Sequence, residues 1–113
     1  MSKKVLIVED DPLLAEFLAL LIEDELGCVA VNAPSVAKAR PLLNSGIDLA
    51  LLDVEVEDGA TYDLAIDMSR QKIPLAFISG SDPAKVPREI ADAPFLRKPA
   101  PNSTILALAR RYV

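Results

Sequence analysis

The 113-residue chain contains no histidine and a single cysteine, Cys28. The lack of histidine excludes imidazole catalysis, haem ligation by histidine and histidine-bound zinc. One cysteine cannot form an intramolecular disulfide or a metal site with several thiolate ligands. Any chemistry must therefore come from carboxylates, hydroxyl groups, lysines and the backbone.

Positive charge is also scarce. The chain has twelve lysine and arginine residues and seventeen aspartate and glutamate residues, which gives a net charge of −5, and no basic run is present. A protein of this charge is a poor ligand for a phosphate backbone. We therefore expect no nucleic acid among its partners.

Long apolar runs are missing as well. The first apolar run has only four residues, 5–8, and is followed directly by Glu9, Asp10 and Asp11. A secretory signal needs roughly 7–15 apolar residues, and a membrane span needs about 20. We predict a cytoplasmic protein that does not contact a membrane.

Short apolar runs that favour strands alternate with longer patterns that favour helices. Such alternation predicts parallel strands joined by right-handed crossovers, and hence a doubly wound α/β sheet in one domain over residues 1–113. Ligands of this architecture bind at the carboxyl ends of the strands. Strands are predicted at residues 5–8, 28–31, 48–52, 75–78 and 95–97.

Prolines and glycines set the limits of the helices. The first helix is predicted from the Asp11 cap to Gly27, and Pro41 should shorten or kink the second one. The fourth helix should be short or irregular, because Pro83, Pro87 and Pro94 interrupt its segment. The other helices are predicted at residues 35–43, 62–71 and 103–111.

One apolar stripe runs along the first helix, and we interpret it as core and not as a partner surface. Acidic residues lie off this stripe, as an amphipathic surface helix requires. Its members are Leu13, Leu14, Phe17, Leu18, Leu21 and Ile22.

Polar side chains follow four of the five predicted strands. They are Glu9 and Asp10, Asp53, Ser79 and Lys98. Three carboxylates at one sheet edge would repel, at about 4 kcal/mol per pair for 4 Å and an intermediate dielectric. A hard cation such as Mg²⁺ would relieve that repulsion. Carboxylate, metal, lysine and hydroxyl together are the groups required for phosphoryl transfer to an aspartate.

Four motifs occur in order, each after an apolar strand. With them the whole chain resembles the CheY-like receiver domain of two-component response regulators, which implies a flavodoxin-like, five-stranded parallel sheet of order 2-1-3-4-5. The motifs are Val8-Glu9-Asp10-Asp11-Pro12, Leu51-Leu52-Asp53, Phe77-Ile78-Ser79-Gly80 and Arg97-Lys98-Pro99.

The resemblance implies a metal site for Mg²⁺ or another divalent cation such as Mn²⁺. Asp53 would be the phosphoacceptor, and Asp10 and Asp53 would bind the metal directly. Glu9 would bind it through water, and the backbone carbonyl of Glu55 would be a further ligand. Glu55 is also expected to influence the lifetime of the phosphorylated state.

The resemblance also implies groups that contact the phosphoryl oxygens and respond to them. Ser79 and Lys98 would each contact one oxygen, and Phe95 would swing inward together with Ser79 on activation. A cis peptide is implied before Pro99.

Some features depart from the common pattern of the family. The loop after Asp53 is short and lacks the usual proline, and Ala100 stands where an aromatic residue is common. With the proline-broken fourth helix, these features loosely resemble stand-alone receivers of the "FAT GUY" type from alphaproteobacteria. Ile78 and Ser79 replace the Ala-Thr of that name.

The resemblance implies a signalling relay rather than an enzyme, catalysing only its own phosphorylation and dephosphorylation. Asp53 would take a phosphoryl group from a histidine kinase or a histidine phosphotransfer protein. With no output domain expected, a monomer would signal by contact with an unknown downstream protein or by shuttling phosphate.

Three other functions compete with this one. The chain could be a receiver-like adaptor that is never phosphorylated. A phosphatase of the haloacid dehalogenase type also uses a strand-end aspartate, but it normally has an aspartate where this chain has Glu55 and needs a cap domain. A flavodoxin is disfavoured, because acids instead of a phosphate-binding loop follow the first strand.

Overall fold

The computed structural model describes residues 2–113 and contains a five-stranded sheet, all of whose pairings are parallel. The strand order is β2-β1-β3-β6-β7. This is the predicted order 2-1-3-4-5 once a small separate hairpin, β4–β5, is set aside, so the predicted fold class is confirmed. The strands are β1 Lys4–Val8, β2 Val29–Ala33, β3 Leu49–Leu52, β4 Glu55–Val56, β5 Gly59–Ala60, β6 Leu75–Ser79 and β7 Phe95–Arg97.

Helices cover both faces of the sheet, which explains why its central strands are apolar throughout. Alternate residues of β1 point into two separate cores: Leu6 packs with Phe77 on one face, and Ile7 packs with Ile78 on the other. The first face is covered by α2 and α3, and the second by α1 and α4. The helices are α1 Pro12–Leu26, α2 Val36–Ala39, α3 Tyr62–Arg70 and α4 Asn102–Ala109.

The signals at the ends of α1 act as predicted. The Asp11 side chain accepts hydrogen bonds from the amides of Leu13 and Leu14, at 3.0 and 3.3 Å. Gly27 ends the helix with a left-handed conformation, φ 66°, which glycine adopts without strain. Asp11 therefore serves as the helix cap, next to Glu9 and Asp10 in the chain.

Proline also shapes the two irregular segments as predicted. The second helix changes to a 3₁₀ helix over Arg40–Asn44, with Pro41 in its first turn. After β6, where a fourth helix was expected to be short or irregular, two 3₁₀ turns occupy Pro83–Lys85 and Arg88–Ile90.

The prediction for the α1 stripe is wrong in part. Leu18 and Ile22 are buried, but Leu13 is 80% exposed and Phe17 is 47% exposed. The stripe is wider than the face that one sheet covers, so its outer members lie in solvent. Leu20, three residues after Phe17, is 51% exposed on the same outer side.

Two further details differ from the sequence prediction. The second strand begins at Val29 and not at Cys28, which is buried just before it. The β4–β5 hairpin was not predicted, because two-residue strands are too short to show any periodicity. Within residues 2–113, the helices are all too short or too polar to cross a membrane.

Candidate functional site

The polar side chains predicted to meet at the carboxyl edge of the sheet do meet there. Glu9 and Asp10 directly follow β1, Asp53 follows β3, Ser79 ends β6 and Lys98 follows β7. One carboxylate oxygen each from Glu9, Asp10 and Asp53 can be chosen so that all three lie within 4.8 Å of one another. We call these five residues the rim site.

Lys98 joins two of the three carboxylates. Its Nζ donates a hydrogen bond to Glu9 Oε1 at 2.7 Å and another to Asp53 Oδ2 at 2.9 Å. The Glu9 side chain is only 3% exposed, and that of Asp53 is 14% exposed. A charge at this depth needs a partner, and one ammonium group provides it for both acids.

Ser79 holds the other oxygen of Asp53. Its Oγ donates to Asp53 Oδ1 at 2.7 Å and accepts from the amides of Val54 and Ser81 at 3.4 and 3.2 Å. The two backbone donors orient the hydroxyl group so that its proton points at the carboxylate. Both carboxylate oxygens of Asp53 are therefore held, one by Ser79 and one by Lys98.

The backbone of Asp53 is also fixed, partly by a residue that the sequence analysis missed. Its amide donates to the carbonyl of Val8 at 2.9 Å, and its carbonyl accepts from Thr61 Oγ1 at 2.7 Å. A threonine just before a helix is usually interpreted as a helix cap. The Thr61 hydroxyl instead binds back to Asp53, and no sequence pattern signals this.

These contacts separate the pKa values of the two linked acids. Burial raises the pKa of Glu9, and the negative charge of Asp53 raises it further, so it lies above its usual value despite the bond from Lys98. Burial would also raise the pKa of Asp53, but the hydrogen bonds from Lys98 and Ser79 outweigh it and hold that pKa below its usual value. Asp53 is therefore ionised at neutral pH.

The opposite balance applies to Lys98. Burial alone would lower its pKa, but the hydrogen bonds to Asp53 and Glu9 outweigh burial and raise it. The ammonium group stays charged at neutral pH. The site thus combines an ionised carboxylate, a fixed positive charge and an oriented hydroxyl group.

The fold is shared with solved proteins, although neither protein-family models nor curated proteins gave a match to the sequence. A CheY-like response regulator receiver domain protein from Methanospirillum hungatei superposes with a TM-score of 0.88 at 20% identity, over 98% of this chain and 93% of that chain. The chain has the fold of CheY-like receiver domains. Two further receiver-fold structures are more similar to it in sequence.

The first of these is the response regulator REC domain of PhyR from Erythrobacter litoralis. It has a TM-score of 0.80 at 26% identity, over 96% of this chain and 88% of that chain. The second is SdrG from Sphingomonas melonis, with a TM-score of 0.77 at 31% identity, over 94% of this chain and 92% of that chain.

The acids of this receiver fold form a possible metal site. Glu9, Asp10 and Asp53 offer only oxygen donors, which suit a hard divalent cation. Lys98 compensates only part of their negative charge, so a cation would still be attracted there. Asp10 is exposed while Glu9 is buried, so the cation could retain water on its outer side.

Three remaining predictions concern residues around the rim site. The Lys98–Pro99 peptide is cis, as the resemblance implied. Phe95 is partly buried, with its ring 5.7 Å from that of Phe77. Glu55 lies in β4, two residues after Asp53, with an exposed side chain. The switch role of Phe95 and the ligand role of the Glu55 carbonyl stay predictions.

We predict that Lys98→Ala raises the pKa of Asp53, because the strongest donor to its carboxylate is lost. A folded pKa below the unfolded one stabilises the fold above the unfolded pKa, and this stabilisation disappears as the pH falls through the folded pKa. The variant should therefore lose part of this stabilisation at neutral pH. Carboxyl-carbon NMR titration without divalent cations measures the pKa directly.

The matched control is Lys85→Ala, which removes an exposed lysine from the first 3₁₀ turn after β6. It should leave the titration of Asp53 unchanged. An unchanged or lower Asp53 pKa in Lys98→Ala would contradict the assignment of Lys98 as a group that holds this pKa below its usual value.

Proposed function

We propose that the chain is the receiver domain of a two-component phosphorelay and that Asp53 accepts its phosphoryl group. The observation that carries the proposal is the pair of bonds on the Asp53 carboxylate, from Ser79 to Oδ1 and from Lys98 to Oδ2. Two donors so placed can move from the carboxylate oxygens to the oxygens of an incoming phosphoryl group. The neighbouring acids Glu9 and Asp10 would hold the cation.

The donor is a phosphohistidine of a histidine kinase or a histidine phosphotransfer protein. One oxygen of Asp53 forms a bond to phosphorus while the phosphorus–nitrogen bond breaks and the imidazole nitrogen takes up a proton. Lys98 and Ser79 stabilise the charge on the transferring group. A bound Mg²⁺ or Mn²⁺ would supply further charge neutralisation, with Asp10, Asp53 and the Glu55 carbonyl as direct ligands and Glu9 as a ligand through water.

Phosphorylation would be read out beside Asp53. The new group adds about 1.5 to 2 negative charges, and it competes with Asp53 Oδ1 for the Ser79 hydroxyl. Ser79 ends β6, whose Phe77 packs against the ring of Phe95 on β7. Movement of Ser79 would therefore change the packing of the Phe95 ring, which supports the proposed role of Phe95 in the switch.

The output is contact with a downstream protein or transfer of phosphate to one, without turnover of a separate substrate. The short Asp53 loop and the two 3₁₀ turns after β6 support the narrower resemblance to stand-alone receivers. We expect the chain to act as a monomer.

The phosphoryl donor is proposed to dock on the exposed side of α1. Leu13, Phe17 and Leu20 form an exposed apolar strip there, spaced so that they share one side of the helix. An apolar groove of about 430 Å³ lies beside it and is lined by Phe17 and by Lys98 of the rim site. A donor that reaches Asp53 must cover this end of the sheet, and the strip provides apolar surface for it.

Phosphorylation by acetyl phosphate tests the proposed function. Intact-protein mass should show a single phosphoryl adduct that requires Mg²⁺ and is lost in Asp53→Asn. Asp92→Asn, a change at an exposed aspartate elsewhere, should be modified like the wild type. An adduct that persists in Asp53→Asn would show that another residue is the acceptor. Failure of both acetyl phosphate and phosphohistidine donors would favour the adaptor.

The docking surface predicts a difference between two kinds of donor. Leu13→Ser and Phe17→Ser should slow phosphoryl transfer from a phosphohistidine protein by about tenfold or more, as expected for central interface residues. Labelling by acetyl phosphate should be unchanged, because that donor makes no contact with α1. Val29→Ser, at an exposed valine of β2, is the matched control; equal slowing in all three variants would refute the proposed surface.

A further inference from the structure

The segment that follows Asp53 is a closed hairpin and not an open loop. β4 and β5 pair antiparallel, with Glu55 opposite Ala60 and Val56 opposite Gly59. The turn between them consists of Glu57 and Asp58 alone. The segment therefore has one defined shape, which begins at the phosphoacceptor.

Two anchors fix the base of this hairpin. Val54 and Val56 are buried in the core under α2 and α3. Thr61, which is fully buried, donates through its hydroxyl to the carbonyl of Asp53 and through its amide to the carbonyl of Val54, at 2.7 and 2.8 Å. The base of the hairpin is thus tied to Asp53 itself.

A third anchor holds the tip of the hairpin. The two carboxylate oxygens of Asp58 accept from the amides of Val36 and Ala37, at 2.8 and 3.0 Å. These amides open α2 and have no acceptor within the helix. Ser35 caps the next free amide, that of Lys38, at 3.1 Å.

The charge of Asp58 suits this contact. The bonds from the Val36 and Ala37 amides lower the pKa of Asp58 below its usual value, so the carboxylate is ionised at neutral pH. Hydrogen bonds to an ionised acceptor are about twice as strong as neutral ones. The contact joins Asp58 to Val36 and Ala37, which lie 22 and 21 residues before it in the chain.

Glu55 lies between these anchors, three residues before Asp58 and two after Asp53. We propose that Asp58 is a positioning residue for the divalent cation: by tying the hairpin tip to α2, it holds the Glu55 backbone in the place where its carbonyl can bind the metal. This inference rests on the proposed function, in which that carbonyl is a ligand. A ligand that is already held in place loses little conformational entropy when the metal binds, so the affinity for the metal is higher.

The coupling must also act in the opposite direction. If the Asp58 contact favours cation binding, then cation binding favours the contact by the same factor. Mg²⁺ should therefore slow hydrogen exchange at the amides of Val36 and Ala37, although neither residue is part of the rim site. In Asp58→Ala these amides should exchange faster and lose their response to Mg²⁺.

The test compares Asp58→Ala and Asp58→Asn with Glu57→Ala. Glu57 is the adjacent exposed acid of the same turn, so its variant controls for the loss of one negative charge. Mg²⁺ titration followed by amide NMR shifts of the rim site should give a dissociation constant about tenfold weaker in Asp58→Ala, the lower end for residues that orient metal ligands. Asp58→Asn retains one carbonyl acceptor and should fall between Asp58→Ala and the wild type, and Glu57→Ala should be within about twofold of wild type.

The outcomes separate a positioning role from a structural one. If the Asp58 variants bind Mg²⁺ like Glu57→Ala while the Val36 and Ala37 amides exchange faster, Asp58 only caps α2 and the inference is wrong. Circular dichroism checks that each variant is folded, and Asp58→Asn decides the question if Asp58→Ala is not. A wild-type chain that binds no Mg²⁺ would overturn the cation site of the proposed function itself, and the inference with it.

Discussion

The Lys98 ammonium group is the constraint on which the rim site depends. It donates hydrogen bonds to both Glu9 and Asp53, which lie 89 and 45 residues before it in the chain, and so its side chain connects the ends of β1, β3 and β7. Without it, two carboxylates with little solvent would face each other, with a repulsion on the order of 4 kcal/mol at 4 Å and an intermediate dielectric. The lysine also helps to hold the pKa of Asp53 below its usual value, against the effect of burial.

Asp53 connects this charge network to the rest of the molecule. Its side chain is held by Lys98 and Ser79, and its backbone is held by Val8 and Thr61. A phosphoryl group added there must break at least one side-chain contact, whereas the backbone contacts can persist. Under the proposed function, phosphorylation would therefore change the contacts of β6 and β7, while the hairpin after Asp53 would keep its place.

Most of the rim site could be predicted, because apolar runs end where strands end. Glu9 and Asp53 each stand directly after such a run, and Lys98 stands two residues after Phe95-Leu96. Thr61 and Asp58 could not be predicted, since their partners are backbone carbonyls and amides, which leave no residue pattern. The α1 stripe shows a similar limit. Its periodicity located the helix, but periodicity does not state how much of a stripe the sheet covers. The exposure of Leu13 and Phe17 could therefore not be predicted.

The proposed function requires that Lys98 and Ser79 can pass from the Asp53 carboxylate to a phosphoryl group held beside a cation. NMR of the isotope-labelled chain after addition of Mg²⁺ and beryllofluoride, a mimic of the phosphoryl group, tests whether these two side chains move in this way. We expect a new set of signals for Asp53, Ser79 and Lys98 that requires both additions together. An unchanged spectrum at saturating concentrations of both would contradict it.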